Sequence, residues 1–187
     1  MFLTIPNLLT LLRLLAVPVF AISVWYGQLI IACILFALAG LTDLLDGFLA
    51  RRFNQLSPLG AFLDPMADKL LMGAAFILLC MPSEHLWLLI PVWVVILAIS
   101  RDVVISLFAF WSSSNYDPSR FRPSLLGKFT TGAELVVISL TLLQNAIGPV
   151  SPLDIFFPWS FYLAAGLVIA SGLHYFVRIT TSQRSNG

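Results

Sequence analysis

The chain has 187 residues and a mass of 20.6 kDa, the length of one domain. Hydrophobic residues make up 59% of it and charged residues 10%, with a mean hydropathy of +0.97; a soluble domain carries about 25% charged residues. So small a chain has too little interior to hide that much apolar surface from water. An ordinary soluble enzyme, a disordered tail, a collagen-like fibre and a secreted disulfide scaffold are excluded, and an integral membrane protein is expected. The net charge of +1 offers no basic field for nucleic acid.

Taken in chain order, the first apolar run is Leu8–Val24. No Lys or Arg precedes it and no small-residue cleavage pattern follows before Trp25 and Tyr26, so it is expected to be a retained helix. Tyr26-Gly27 breaks it from Leu29–Leu49, and Asn54 to Pro58 separates that run from Leu59–Met81. Pro82-Ser83 precedes Leu86–Trp111, Ser112 to Pro123 precedes Phe129–Ile147, and Gly148 to Pro152 precedes Phe156–Val177. Each run approaches the roughly 20 residues that cross a bilayer. Backbone groups in lipid must be satisfied within their own segment, so these are helices. The expectation is an all-α polytopic membrane protein with six transmembrane helices in a single domain, 1–187. Cys33 and Cys80 lie in apolar runs and read as small buried hydrophobes; His85 and His174 stand alone, without metal-ligand spacing, as interfacial or packing residues.

The loop cations orient the bundle. Arg51 and Arg52 follow the second run, Arg120, Arg122 and Lys128 lie between the fourth and fifth, and Arg178 and Arg184 follow the sixth. The other connections carry only Glu84 and Asp154. The positive-inside rule places both termini and the loops 2–3 and 4–5 in the cytoplasm.

Arg13, Asp43, Asp46, Asp64, Asp68, Lys69, Arg101, Asp102 and Glu134 fall inside or at the mouths of spans. Ionisable groups in a membrane are costly, about 2.5–3.5 kcal/mol each on insertion scales, and mark function. Asp43 and Asp46 stand three apart near the cytoplasmic end of the second span, and Asp64 and Asp68 four apart at the start of the third, so each pair shares one helix face. The short connection predicts that these two helices are antiparallel neighbours, with all four carboxylates at one depth. Gly47, Ala50, Gly60 and Ala61 beside them permit close approach. Four carboxylates repel one another unless cations intervene. Oxygen-only ligation suits two divalent ions, Mg²⁺ or Mn²⁺, rather than Zn²⁺. Such a pair suggests phosphoryl chemistry, with one carboxylate taking a proton from an attacking hydroxyl and Arg51 meeting a further phosphate charge.

Written out, Asp43 to Asp68 reads DLLDGFLARRFNQLSPLGAFLDPMAD, with the skeleton D-x₂-D-G-x₂-A-R-x₈-G-x₃-D-x₃-D. This resembles the signature of the CDP-alcohol phosphotransferase family at every fixed position. TIPNLLTLLRLLAVPVF at Thr4–Phe20 and LGAFLDPMADKLL are similar to segments of its phosphatidylglycerophosphate synthase branch. The resemblance covers roughly Thr4 to Leu140 and implies that Asp43, Asp46, Asp64 and Asp68 hold the two metal ions. It implies too that Asp68 is the general base and that Gly47, Ala50, Arg51 and Gly60 bind the CDP moiety. By the same resemblance, a phosphatidyl group passes from CDP-diacylglycerol to a hydroxyl acceptor and CMP leaves.

The acceptor is expected to be sn-glycerol 3-phosphate, with Arg101, Lys128 and Arg13 as its binding residues. Cardiolipin synthesis, with phosphatidylglycerol as acceptor, is the alternative. FALAGLTDLLDGF at Phe36–Phe48 and Ser100-Arg101-Asp102 resemble cardiolipin synthases, and Leu107-Phe108-Ala109-Phe110 lacks the second Arg usual in the glycerol-phosphate branch. The expected setting is a bacterial inner membrane, with the site near its cytoplasmic face and the chain a homodimer among membrane lipids. A small cation transporter and a noncatalytic scaffold are the readings from other classes. Against the transporter, the carboxylates gather near one surface rather than at the midplane.

Overall fold

The computed structural model describes the backbone of residues 5–52, 58–115, 125–149 and 153–184, and the side chains of residues 8–43, 63–107, 125–149 and 157–175. All regular structure among them is helical: α1 Ile5–Trp25, α2 Leu29–Arg52, α3 Pro58–Cys80, α4 Val92–Asn115, α5 Leu125–Ile147 and α6 Leu153–Arg184. Three stretches, Leu8–Trp25, Leu125–Ile147 and Phe157–Tyr175, are long and apolar enough to cross a membrane by length and composition alone.

The burial pattern is that of a protein in lipid. On α1, Thr10, Arg13, Phe20 and Val24 are buried along one face, whereas Leu8, Leu11, Leu12, Leu15, Val19 and Ile22 are exposed on the other. Glu134, Thr141, Gln144, Asn145 and Ser171 are buried elsewhere, while Ile96, Val104, Leu107, Leu163 and Leu173 face outward. Several polar groups are buried beside the apolar core while large aliphatic side chains cover much of the outer surface, as suits a lipid surrounding.

The chain divides into two compact units. The first comprises Met1–Leu89 with Ile138–Val150. In it α1 packs extensively on both α2 and α3, and among the described residues α2 and α3 touch each other only slightly. α1 is thus an element that both helices pack against, and the side chains of α2 and α3 nearest their connection fall outside the described residues. Alanines make this close, with Ala32 and Ala39 of α2 and Ala67 and Ala75 of α3 all buried. Phe20 meets Phe36 with ring centroids 5.9 Å apart.

The α1–α2 turn closes on Gly27, at φ +71°, a left-handed conformation that glycine adopts without steric cost. Gly27 N–H donates to Val24 O at 3.1 Å and Gln28 N–H to Ser23 O at 2.8 Å. The His85 ring covers this turn so closely that a Cβ on residue 27 would lie 2.6 Å from its Cγ. His85 is thus a packing residue. Cys33 and Cys80 are free thiols and only partly buried, less so than expected.

The fourth helix begins later than its apolar run. Leu86–Pro91 stays outside the helix, and Pro91 O accepts the first helical bonds from Val94 N–H at 2.9 Å and Val95 N–H at 3.3 Å. The reason lies on α5. Asn145 Oδ1 accepts from the N–H groups of Trp87 at 2.9 Å and Leu88 at 3.0 Å, and its Nδ2 donates to Leu88 O and to Thr141 O, each at 2.8 Å. Trp87 Nε1 donates to Gln144 O at 3.1 Å. Backbone groups that a helix would have satisfied are met by one amide instead.

The second unit comprises Ile90–Val137 and Ser151–Gly187. Here α4 packs on α6, with Trp93 and Tyr162 rings 5.6 Å apart. The fifth helix starts at Leu125, a turn before the expected Phe129, and this brings Lys128 into it. It meets α6 where Thr130 Oγ1 donates to Leu167 O at 3.2 Å.

Asn145→Ala leaves the Trp87 and Leu88 backbone groups without these partners. Unsatisfied buried groups cost about 1–3 kcal/mol each. The purified variant is expected to melt several degrees below the wild type in detergent, whereas the exposed Leu143→Ala should change its melting temperature little.

Candidate active site

The aspartate motif spans the end of α2 and the start of α3. Asp43 stands on α2, and Asp64 and Asp68 follow on α3 with Pro65 between them. Pro65 has no N–H, so the Ala61 carbonyl lacks its helical donor at this point.

These carboxylates converge on α1. Arg13 Nη1 donates to Asp43 Oδ1 at 3.0 Å and to Asp68 Oδ1 at 2.9 Å, so one nitrogen joins carboxylates from two different helices. One turn earlier on α1, Thr10 Oγ1 donates to Asp64 Oδ1. Thr10 and Arg13 are three apart and share the buried face of α1. The Arg13 side chain is fully buried, whereas Asp43 and Asp68 each keep 40% of their side-chain surface exposed. The guanidinium therefore meets the carboxylates from the interior side.

Of the sequence-predicted ligands, the structure brings Asp43 and Asp68 to one Arg13 nitrogen and Asp64 to Thr10, one turn away on α1. Asp46, Gly47, Ala50 and Arg51 lie on the last turns of α2 and Gly60 on the first turn of α3, but their side chains fall outside the described residues. Arg13, grouped by sequence with the acceptor, is placed with the aspartates. Thr10 was missed, its one signal being its position three residues before Arg13 in an otherwise apolar run.

The donor set suits a hard divalent cation. It consists of oxygen alone, and two of its members already share one positive nitrogen. Among the described residues no three His, Cys, Asp or Glu side chains close on a single point.

A second polar cluster forms within the other unit. Arg101 Nη1 pairs with Asp102 Oδ1 at 2.6 Å, and Nη2 donates to Ser171 Oγ at 3.0 Å and to Gly127 O at 3.5 Å. Gly127 immediately precedes Lys128, so α4, α5 and α6 bring both predicted acceptor cations into one neighbourhood. The Arg101 side chain is only 10% exposed, while Lys128 is exposed. Among the described residues, the buried Arg101 Nε has no hydrogen-bond partner. Ser171 was not foreseen, because α6 reads as apolar throughout this stretch. Arg120 and Arg122 lie outside the described residues.

An all-helical, lipid-adapted chain with a carboxylate cluster of this spacing defines a class of membrane-embedded phosphotransfer proteins, and comparison with known proteins narrows it. The family model for CDP-alcohol phosphatidyltransferase matches residues 3–172. The chain is 36% identical over 179 residues to a Pseudomonas fluorescens CDP-diacylglycerol–glycerol-3-phosphate 3-phosphatidyltransferase, covering 91% of this chain and 87% of that one. It is 37% identical over 142 residues to the Escherichia coli protein of the same name, covering 74% and 76%. It is also 39% identical over 155 residues to a Drosophila melanogaster probable cardiolipin synthase (CMP-forming), covering 74% of this chain and 47% of that protein, about half its length. The chain belongs to the CDP-alcohol phosphatidyltransferase family.

Proposed function

We propose that the chain transfers a phosphatidyl group from CDP-diacylglycerol to sn-glycerol 3-phosphate in phospholipid biosynthesis, releasing CMP. The observation that supports this most directly is the convergence of Asp43 and Asp68, from separate helices, on one buried guanidinium nitrogen. The bacterial relatives carry the corresponding names.

In this reading Asp43, Asp46, Asp64 and Asp68 hold two divalent cations, Mg²⁺ or Mn²⁺. When bound, these neutralise the pyrophosphate and draw electron density from phosphorus. Gly47, Ala50, Arg51 and Gly60 receive the CDP moiety. Asp68 takes the proton of the acceptor hydroxyl. The hydroxyl oxygen then bonds to the phosphorus that carries diacylglycerol, the pyrophosphate P–O bond breaks, and CMP departs with that oxygen. Arg101 and Lys128 supply positive charge to the acceptor phosphate; a guanidinium offers it a fork of donors.

The proposed setting is a single domain of six spans, with both termini in the cytoplasm and the site near the cytoplasmic face of a bacterial inner membrane. One family match running across residues 3–172 supports the single domain, and the seven loop cations support the orientation. A homodimer belongs to the same proposal and rests on the family resemblance. Cardiolipin synthesis is the second reading, favoured by the likeness to the Drosophila protein and by the missing second Arg near Phe108.

Purified protein given CDP-diacylglycerol and sn-glycerol 3-phosphate should release CMP only with Mg²⁺ or Mn²⁺, and excess chelator should abolish the release. Asp68→Asn should lower turnover at least a hundred-fold, as general-base loss typically does, with nucleotide binding largely kept. CMP release undiminished by chelator, or near-normal turnover in Asp68→Asn, overturns the assignment.

Lipid analysis with each acceptor separates the two readings. Phosphatidylglycerophosphate is expected from glycerol 3-phosphate, and Arg101→Ala and Lys128→Ala should each raise its KM roughly ten-fold or more, the scale of a charge-assisted contact. Cardiolipin made from phosphatidylglycerol, with glycerol 3-phosphate ignored, selects the alternative.

Reporters fused after Gly187 and inserted near Asn54 should both read as cytoplasmic, and one at Glu84 as the opposite face. An external signal at Asn54 inverts the topology.

A further inference from the structure

We infer that Thr10 and Arg13 make α1 the positioning element of the carboxylate site, setting the donor geometry and the net charge with which it meets a divalent cation. The inference rests on the metal-binding reading given above.

The motif that names the site lies wholly on α2 and α3, yet these helices touch each other only slightly among the described residues. A group outside the motif ties Asp43 to Asp68. Arg13 does so directly, with a single nitrogen bonded to one oxygen of each. That bonding engages Oδ1 of both aspartates from the buried side, and 40% of each side chain still faces outward.

Thr10 performs the same service for Asp64, as a neutral donor. It adds direction without charge. The two residues therefore differ in what their removal does. Without the Thr10 hydroxyl, Asp64 is free to rotate away, and a cation must order it on binding. Without the Arg13 charge, carboxylate repulsion within the site increases, so a divalent cation is attracted more strongly even though the carboxylates are less well aligned. Opposite signs from neighbouring positions on one helix face are not expected of two residues that merely fill space.

The test is Mn²⁺ binding to the purified full chain, followed by electron paramagnetic resonance without substrate, alongside melting temperature with and without Mn²⁺. Thr10→Val, nearly equal in volume, should weaken Mn²⁺ binding roughly ten-fold, the worth of one charge-assisted hydrogen bond. Thr10→Ser should restore it. Arg13→Gln should bind Mn²⁺ roughly ten-fold more tightly and gain more melting temperature from Mn²⁺ than the wild type does, yet turn over more slowly at saturating Mn²⁺. Arg13→Lys, which keeps the charge, should return Mn²⁺ affinity to the wild-type value. If Arg13→Gln does not fold, the Thr10 pair still decides: Thr10→Val with wild-type Mn²⁺ affinity overturns the inference. So does Arg13→Gln with unchanged affinity and unchanged Mn²⁺ stabilisation. A wild-type chain that binds no Mn²⁺ is a different failure, since it removes the metal reading itself.

Discussion

One buried guanidinium holds this structure's chemistry together. Arg13 is fully enclosed, and it is enclosed because Asp43 and Asp68 meet it. A cation so placed without its partners would destabilise the fold by several kcal/mol, and breaking a buried pair typically costs about 3–5 kcal/mol. The helices that carry the aspartates are therefore bound to α1 by charge as well as by the close packing of Ala32, Ala39, Ala67 and Ala75. The ion pairs that bring α2 and α3 to α1 also orient Asp43 and Asp68.

The same economy appears in the other unit. Arg101 draws α4 toward α5 and α6 through Gly127 O and Ser171 Oγ, and carries its own counter-charge in Asp102. In a low-dielectric surrounding each such bond counts for more than at a wet surface, and each unmet one costs more. Among the described residues the outward faces are dominated by Leu, Ile and Val, which are compatible with lipid.

Much of this was legible in the sequence. Apolar runs of spanning length gave the number and class of the helices, because lipid leaves the backbone few alternatives. The spacing of Asp43, Asp46, Asp64 and Asp68 placed pairs on helix faces. What the sequence could not show was which helix those faces meet. A short connection suggests that α2 and α3 are neighbours, but no periodicity in either reveals that both also pack on α1. Arg13 was visible as an anomaly and Thr10 was not, since a lone Thr in an apolar run is common and its value comes only from Asp64 across the packing. Hydropathy likewise carried the fourth run back to Leu86. It registers that Trp87 and Leu88 are apolar, not that their backbone is bonded to Asn145.

That last contact has a consequence for biogenesis. Asn145 follows Trp87 and Leu88 by 58 and 57 residues. When the connection between α3 and α4 leaves the translation machinery, the amide that will satisfy it has not yet been made. Its backbone donors must stay hydrated, or borrow temporary partners, until α5 has entered the membrane and brought Asn145 alongside. The first half of the protein therefore completes its bonding only with the second. Its final bonding awaits a late-arriving helix, and a chain truncated before that point would present an unfinished loop to the quality-control proteases of the membrane.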